Sequence, residues 1–340
     1  MNKIKAAIIG LGVGEKHLLA LKKISQVEVV SICDHNVEKL SEVSLRHPDI
    51  KAFENSREVI YDPSVNLVCI ASNDNFHCEQ ILQCIQENKH IFVEKPLCLS
   101  LEQAVEIKKC LAQNSNVKLS SNLILRKSAR FIDLKKRMQR GEFGDIYAID
   151  ADYQYGRIKK LTEGWRGSIS NYSVFLGGGV HMVDLVRWLT EEKVKSVYAT
   201  GNKIVTKNSK FDFNDYVNAT LSFENGLQAR VSANFGCVHP HFHSVRVFGT
   251  SATFINEEGK ARIYHSSTKG IQPELIDTQY PGCGKGDLLN TFVEDLLLRR
   301  EPEISQSEVF ETVSVCFAVE QSLQTNRAVD LDEIRNRLLL

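Results

Sequence analysis

Apolar residues come in short, dense blocks over the first third of the chain and in alternation over much of the remainder. Ile4–Ile9, Val27–Cys33, Asn66–Ala71 and His90–Glu94 are blocks of this kind. Between them apolar positions recur at helical spacing, as at Leu18, Leu21 and Ile24 and along Phe76–Glu87. Ser100 caps a further helix to about Asn114, with Glu102 and Gln103 in its first turn, and Val117–Leu119 reads as one more strand. Strands that are apolar on both faces and separated by helices predict a doubly wound parallel sheet over roughly residues 1–120.

A different pattern follows. A basic helix over Ser128–Arg140 ends at Gly141, and Asp145–Tyr155 alternates as a long strand. Gly156–Tyr172 has no period, and a glycine run then opens an amphipathic helix bearing His181, Asp184 and Trp188. Strands are predicted over Val194–Ile204, Tyr216–Phe223, Leu227–Phe235, Ser244–Phe248 and Ala261–Tyr264. Asn225-Gly226 joins two of them as a tight hairpin, and two helices close the chain. The prediction is therefore an α/β domain over residues 1–122 and an α+β domain, with a large and mainly antiparallel sheet, over residues 123–340.

Composition narrows the function by exclusion. A chain of 340 residues has room for two domains, and its 42 basic and 42 acidic residues cancel. No global field then favours nucleic acid or an anionic membrane. No apolar run approaches the ~20 residues of a membrane span. The nine cysteines sit mostly in apolar runs with no C-x-x-C pair, as reduced core thiols do. A cytoplasmic protein with a small-molecule partner is expected, not one that binds nucleic acid or a membrane.

The first strand runs into Gly10-Leu11-Gly12-Val13-Gly14 and then a helix. Strand, glycine turn and helix in that order are the setting of a dinucleotide fingerprint, shortened here because the third glycine falls at Gly14. Gly10 suits the tight turn, and Gly12 lets the backbone approach a pyrophosphate at the positive end of the helix. Asp34 ends the next strand, 24 residues after Gly10. A carboxylate there accepts ribose hydroxyls and repels a 2′-phosphate, and no arginine follows it. NAD is the expected cofactor and NADP is disfavoured; the plainer reading of Asp34 is a helix cap. Phe92-Val93-Glu94-Lys95-Pro96-Leu97 delivers one lysine to the carboxyl end of a buried strand, which Pro96 stops. Ligands of open α/β sheets bind just beyond such strand ends, and a lysine in dry surroundings exchanges protons near neutral pH.

The glycine turn with its His17, Ser72–His77 before a helix, Glu94-Lys95-Pro96 and Gly178-Gly179-Val180-His181-Met182-Val183-Asp184 follow one another over nearly the whole chain. In this the chain resembles the Gfo/Idh/MocA family, named for glucose-fructose oxidoreductase, inositol dehydrogenase and rhizopine catabolism proteins. The resemblance implies a Rossmann domain over residues 1–122 and a substrate-binding and oligomerisation domain over residues 123–340. It further implies an NAD(P)-dependent oxidoreductase of sugars or cyclitols, a homo-dimer or homo-tetramer formed through the second sheet, and a cis peptide before Pro96. Cofactor contacts are implied at Gly10, Gly12, Val13, Gly14, Asp34, Ser72, His77, Glu94 and Lys95. Lys95 would bond the reacting hydroxyl, with His181 as its acid/base partner. Hydride loss from a carbinol carbon leaves a proton to remove and a nascent alkoxide to stabilise, which suits these two groups. Substrate contacts are implied for Lys95, Asn122, Arg157, Trp165, Arg166 and His181.

The chain departs from the family at Gly177, where an aspartate four residues before the histidine is usual. That keeps a catalytically silent, cofactor-binding regulatory protein as an alternative, beside an inositol-type cyclitol dehydrogenase. Arg157, Trp165 and Arg166, with Tyr153 and Tyr155, offer guanidinium forks for phosphate or carboxylate and aromatic faces for sugars or bases. They point to a nucleotide-linked or amino sugar of surface-polysaccharide metabolism, or, more plainly, to a loop locked on its sheet. Cys237–His243 places three histidines at alternate positions, which share one face of a strand. Pro240 argues against a regular strand and hydride transfer needs no metal, so a cleft wall or subunit contact is expected there, without a metal.

Overall fold

The computed structural model describes residues 3–169 and 171–338. They divide into two compact units, residues through Ile124 with Gly284–Phe310, and Leu125–Cys283 with the chain from Glu311 onward. In the first, strands β1 (Ile4–Ile9), β2 (Val27–Cys33), β3 (Lys51–Phe53), β4 (Leu67–Ile70), β5 (His90–Val93) and β6 (Leu119–Ser121) alternate with helices. The helices are α1 (Gly14–Leu21), α2 (Val37–Arg46), α3 (Ser56–Ile60), α4 (His77–Gln86) and α5 (Leu101–Gln113). All strand pairs are parallel, in the order β3-β2-β1-β4-β5-β6. The chain winds outward from β1 on one side and returns to β4 on the other, so the strand order reverses between β1 and β4, where such folds open a crevice. Ala6, Ala7 and Ile8 of β1, all of β4, and Ile91–Val93 of β5 are without solvent exposure, as helices on both faces require.

Differences from the sequence reading are local. Helices α2 and α3 are short and carried by Asn36 and Asn55, whose side chains accept from Lys39 N and Arg57 N. With β3 they are additions to the predicted elements: β3 and α3 are only three and five residues long, whereas α2 sets Val37, Leu40 and Val43 at helical spacing. The last strand lies two residues beyond the expected one, since Ser120 and Ser121 pair with Phe92 and Val93. Ser100 caps α5 as expected, its hydroxyl accepting from Gln103 N. Helix Asp287–Leu297 belongs to this unit despite its distance in sequence, burying Leu288, Leu289, Phe292 and Val293, with Phe292 5.8 Å from the Phe92 ring.

The second unit opens with helix α6 (Ala129–Gln139) and builds one sheet from β7 (Ile146–Gln154), β8 (Val194–Asn202), β9 (Tyr216–Phe223), β10 (Gln228–Asn234), β11 (Phe242–Gly249), β12 (Thr253–Asn256), β13 (Ala261–Tyr264), β14 (Glu274–Ile276) and β15 (Val329–Asp330). The order is β14-β13-β12-β11-β7-β10-β9-β8-β15, antiparallel except where β10 runs parallel to β7. Each central strand buries alternate residues, as Ile149, Ala151 and Tyr153 of β7 and Val217, Ala219 and Leu221 of β9 do. Helix Val180–Thr190 packs against β7 and β10. The Asn225-Gly226 hairpin is present, with Gly226 at φ +92°. Strands β12, β14 and β15 are additions to the predicted ones, and a third closing helix, Leu331–Leu338, joins the two expected.

All nine cysteines are free, and burial pushes the Cys33 thiol up to about 12. Among the described residues no helix is long and apolar enough to cross a membrane.

Candidate active site

The turn after β1 gives each of its three glycines a steric reason. Gly10 sits at φ +86°, and a Cβ on it would fall 2.3 Å from the Ala71 carbonyl oxygen. A Cβ on Gly14 would lie 2.8 Å from Ile8 Cγ2, so its absence brings α1 down onto β1. A Cβ on Gly12 would meet nothing within 4 Å, which leaves this backbone open to approach. Val13, at the start of α1, provides no side-chain cap, so the first N–H groups of the helix are not taken by a neighbouring side chain. Glu15 in the first turn is compensated by Lys39 and by Arg46, whose Nη2 is 2.6 Å from Glu15 Oε1.

Asp34 stands at the end of β2, beside this turn. Its Oδ2 accepts from Leu11 N at 2.7 Å and its Oδ1 from Asn36 N at 2.9 Å. The carboxylate therefore braces the glycine turn and keeps lone pairs for further donors. An open glycine backbone, an uncapped helix start and an adjoining carboxylate together fit a dinucleotide.

Glu94 is the hub at the end of β5. His17 Nε2 lies 3.1 Å from Glu94 Oε1, and Asn122 Nδ2 donates to the same oxygen at 2.7 Å. Burial raises the Glu94 pKa, but the His17 hydrogen bond and charge, the Lys285 charge and the Asn122 bond outweigh it. They bring the carboxyl down to about 2. Asn122 also donates to the Lys285 carbonyl at 3.3 Å. Asn122, expected at the substrate, thus also orients the carboxylate next to Lys95.

Lys95 is half-buried between Glu94 and Pro96, and the Lys95–Pro96 peptide is cis. His77 is fully buried: its Nδ1 is 2.7 Å from the Pro96 carbonyl oxygen and its Nε2 3.2 Å from that of Ser72. His77 therefore ties the β4 and β5 loops together, while the Ser72 hydroxyl donates to Gln80 Oε1 at 2.7 Å.

In the second unit the glycine run forms one π turn, Phe175–Gly179, which passes directly into helix Val180–Thr190. Ser173 starts it: its hydroxyl accepts from Phe175 N and Leu176 N and donates its one proton to Glu320 Oε1. Burial raises the Glu320 carboxyl to about 7 against that bond. At Gly177 a Cβ would fall 2.2 Å from the hydroxyl oxygen of Tyr172, a buried residue whose ring packs at 6.1 Å on Phe211. His181 is buried, stacked at 5.9 Å on Tyr153 and edge-on at 6.2 Å to His243. Asp184 is held by Arg126, with Nη2 2.6 Å from Oδ1 and Nε 3.0 Å from Oδ2, and by Thr312. That buried fork is structural and commits Asp184 to a partner 58 residues away.

The histidine-rich segment divides. Pro240 precedes β11, so His239 lies outside the strand, with its Nδ1 2.7 Å from the Pro240 carbonyl. His241 meets Tyr153 and Tyr155 at 5.1 and 5.0 Å, and His243 Nδ1 is 2.8 Å from Tyr280 Oη. Two of the three histidines thus join an aromatic wall that includes His181. Arg157 lies over the Tyr155 ring at 5.2 Å, and Arg166 lies over Trp165 at 4.3 Å. Tyr280, Arg126 and Lys285 carried no sequence signal, because their partners are distant along the chain, and Tyr172 carried none because only the fold turns its ring onto Gly177.

Residues 4–122 match the family described as an oxidoreductase family with an NAD-binding Rossmann fold, and residues 131–255 match the GFO/IDH/MocA C-terminal domain. Myo-inositol 2-dehydrogenase of Thermotoga maritima is 24% identical over 97% of this chain and 99% of its own length. Glucose-6-phosphate 3-dehydrogenase of Bacillus subtilis is 33% identical over 61% of this chain and 60% of its own. A solved scyllo-inositol dehydrogenase of Lactobacillus casei, with NAD(H) and scyllo-inositol bound, shares the fold with a TM-score of 0.81. It covers 97% of this chain and 99% of its own at 20% identity. The names of these relatives point to cyclitols and a hexose phosphate; they lend nothing to the expected nucleotide-linked or amino sugar. Two matched domains and a glycine turn open to a dinucleotide lead to one conclusion: the chain belongs to the Gfo/Idh/MocA family and is an NAD-dependent oxidoreductase of CH–OH groups.

Proposed function

We propose that the protein is a dehydrogenase of a cyclic polyol, a cyclitol or a monosaccharide, with Lys95 and His181 as its proton-handling groups. The observation that carries this reading is the end of β5, where Lys95 follows a carboxylate held ionised by His17, Lys285 and Asn122. In its ammonium form Lys95 can stabilise an alkoxide at that strand end. NAD, when bound, supplies the hydride acceptor. Lys95 bonds the oxygen of the reacting hydroxyl and holds the charge that grows on it. His181, gripped between Tyr153 and His243, takes up or returns the hydroxyl proton. Gly12 and the start of α1 bind pyrophosphate, and Asp34 takes the ribose hydroxyls.

The relatives' names support a cyclitol or a hexose, and the cyclitol alternative fits them better than a nucleotide-linked sugar does. The test is to supply NAD with myo-inositol, scyllo-inositol, glucose and glucose 6-phosphate and to follow the absorbance of reduced nicotinamide. Turnover of none of these, nor of other cyclic polyols, would sink the proposal.

A further inference from the structure

The segment that follows β7 carries a group of cations that the proton chemistry does not use. From Gly156 to Ile169 the chain holds Arg157, Lys159, Lys160 and Arg166 against a single acid, Glu163. Its starting point is fixed. A Cβ on Gly156 would fall 2.2 Å from the His239 carbonyl oxygen and 2.6 Å from that of Cys237, so this backbone is pressed onto the loop before β11. Arg157 and Lys160 then fold back over one ring. The Arg157 guanidinium carbon is 5.2 Å from the centre of Tyr155, and the Lys160 ammonium is 6.0 Å from it. Tyr155 stacks on Tyr153 at 5.6 Å, and Tyr153 stacks on His181 at 5.9 Å. Two phenol rings therefore connect the cations to the candidate acid/base imidazole.

Arg157 and Lys160 are exposed, and among the described residues neither forms an ion pair with a carboxylate. Their charge is not spent on the fold. It is felt by the wall beneath them: burial raises the Tyr155 phenol, but Lys160, Arg166 and Arg157 overcome this and hold it below the ordinary phenol range. A guanidinium and an ammonium that share one phenol ring are placed to make charge-assisted bonds to a compact anion, the guanidinium in a fork and the ammonium as a point charge.

We propose that Arg157, Lys160 and the Tyr155 hydroxyl form an anion subsite, which receives a phosphate or carboxylate group carried by the polyol that the enzyme oxidises. This rests on the polyol dehydrogenase reading and narrows it to an anionic substrate, a sugar phosphate or a sugar acid. The acid/base imidazole then acts on a hydroxyl remote from the anionic group, since two stacked rings separate them.

The test compares glucose, glucose 6-phosphate, glucuronate and myo-inositol as substrates of the wild type and of the Arg157→Gln, Lys160→Gln double variant. Binding to the NADH-loaded protein is measured in parallel by calorimetry. The expected result is a kcat/KM for one of the anionic sugars at least tenfold above that for glucose, carried by KM. The double variant should cut that ratio at least tenfold. Whether the phosphate ester or the carboxylate gains decides between the two sources of the anion. A neutral polyol used as well as the better of the two anionic sugars, or a ratio untouched by the double variant, would overturn the subsite. Calorimetry separates this from failure of the parent reading. Charge-dependent binding without turnover of any polyol keeps the subsite and removes the dehydrogenase assignment, whereas binding indifferent to charge removes the subsite.

Discussion

The hydroxyl of Tyr172 occupies the place where a side chain on Gly177 would have to begin, 2.2 Å from the Cβ position. The glycine that departs from the family pattern is thus matched by a buried phenol that could not coexist with the usual aspartate in this arrangement. Gly177→Ala should cost about 1–3 kcal/mol, as overpacking of a filled interior does. Tyr172→Phe removes the atom in conflict, so Gly177→Ala should cost less in that background. Denaturant unfolding of the two single variants and the double variant reads the coupling. Additive losses would show that the phenol does not set the residue at 177.

Glu94 predicts a pH window for stability. Its folded pKa, about 2, lies below its ordinary value of 4.5, so the stabilisation is present above that ordinary value and is lost as pH falls toward about 2. Glu94→Gln keeps an acceptor for Asn122 but has no charge to protonate. Urea unfolding at a series of pH values should therefore show the wild type losing stability relative to Glu94→Gln across that window. Parallel pH curves would mean that the carboxylate is not held ionised by its neighbours.

Lys95 separates transition-state help from cofactor binding. General acid–base assistance is worth typically ~10²–10⁴-fold, so Lys95→Ala should lose at least about a hundredfold in kcat/KM on the true substrate. Lys95→Arg should fail as well, because a broad planar guanidinium does not place its charge where the compact ammonium sits. NADH affinity, followed by fluorescence, should change little in either variant. Near-wild-type turnover of Lys95→Ala would make the residue structural.

Asp34 sets the expected preference for NAD over NADP. It also accepts from Leu11 N, so its removal loosens the glycine turn itself. Asp34→Ala should weaken NAD binding and narrow the gap to NADP, whose 2′-phosphate no longer meets a carboxylate. Fluorescence titration of both reduced cofactors checks this. Tighter binding of NADPH by the wild type would contradict it.

What the sequence determined by itself is what neighbouring residues decide among themselves. The apolar blocks of β1, β4 and β5 announce strands buried on both faces, since their polar positions, Lys5 and His90, lie at or next to the strand starts. The Ser100 cap and the Asn225-Gly226 hairpin rest on bonds and dihedrals within a few residues, and both are present as expected. The glycine turn was legible for the same reason, because strand, turn and helix are contiguous. The environment of the site was not legible, because it is made across long separations. Only the folded chain brings Arg126 to Asp184, Asn122 to Glu94 and Tyr280 to His243, and even over the five residues from Tyr172 to Gly177 the sequence did not announce the close approach. The fold likewise places helix Asp287–Leu297 with the first unit and pairs β10 parallel to β7. A side chain's charge, tautomer and reach depend on what is packed against it, and periodicity along the chain records which face is buried but not which distant residue buries it.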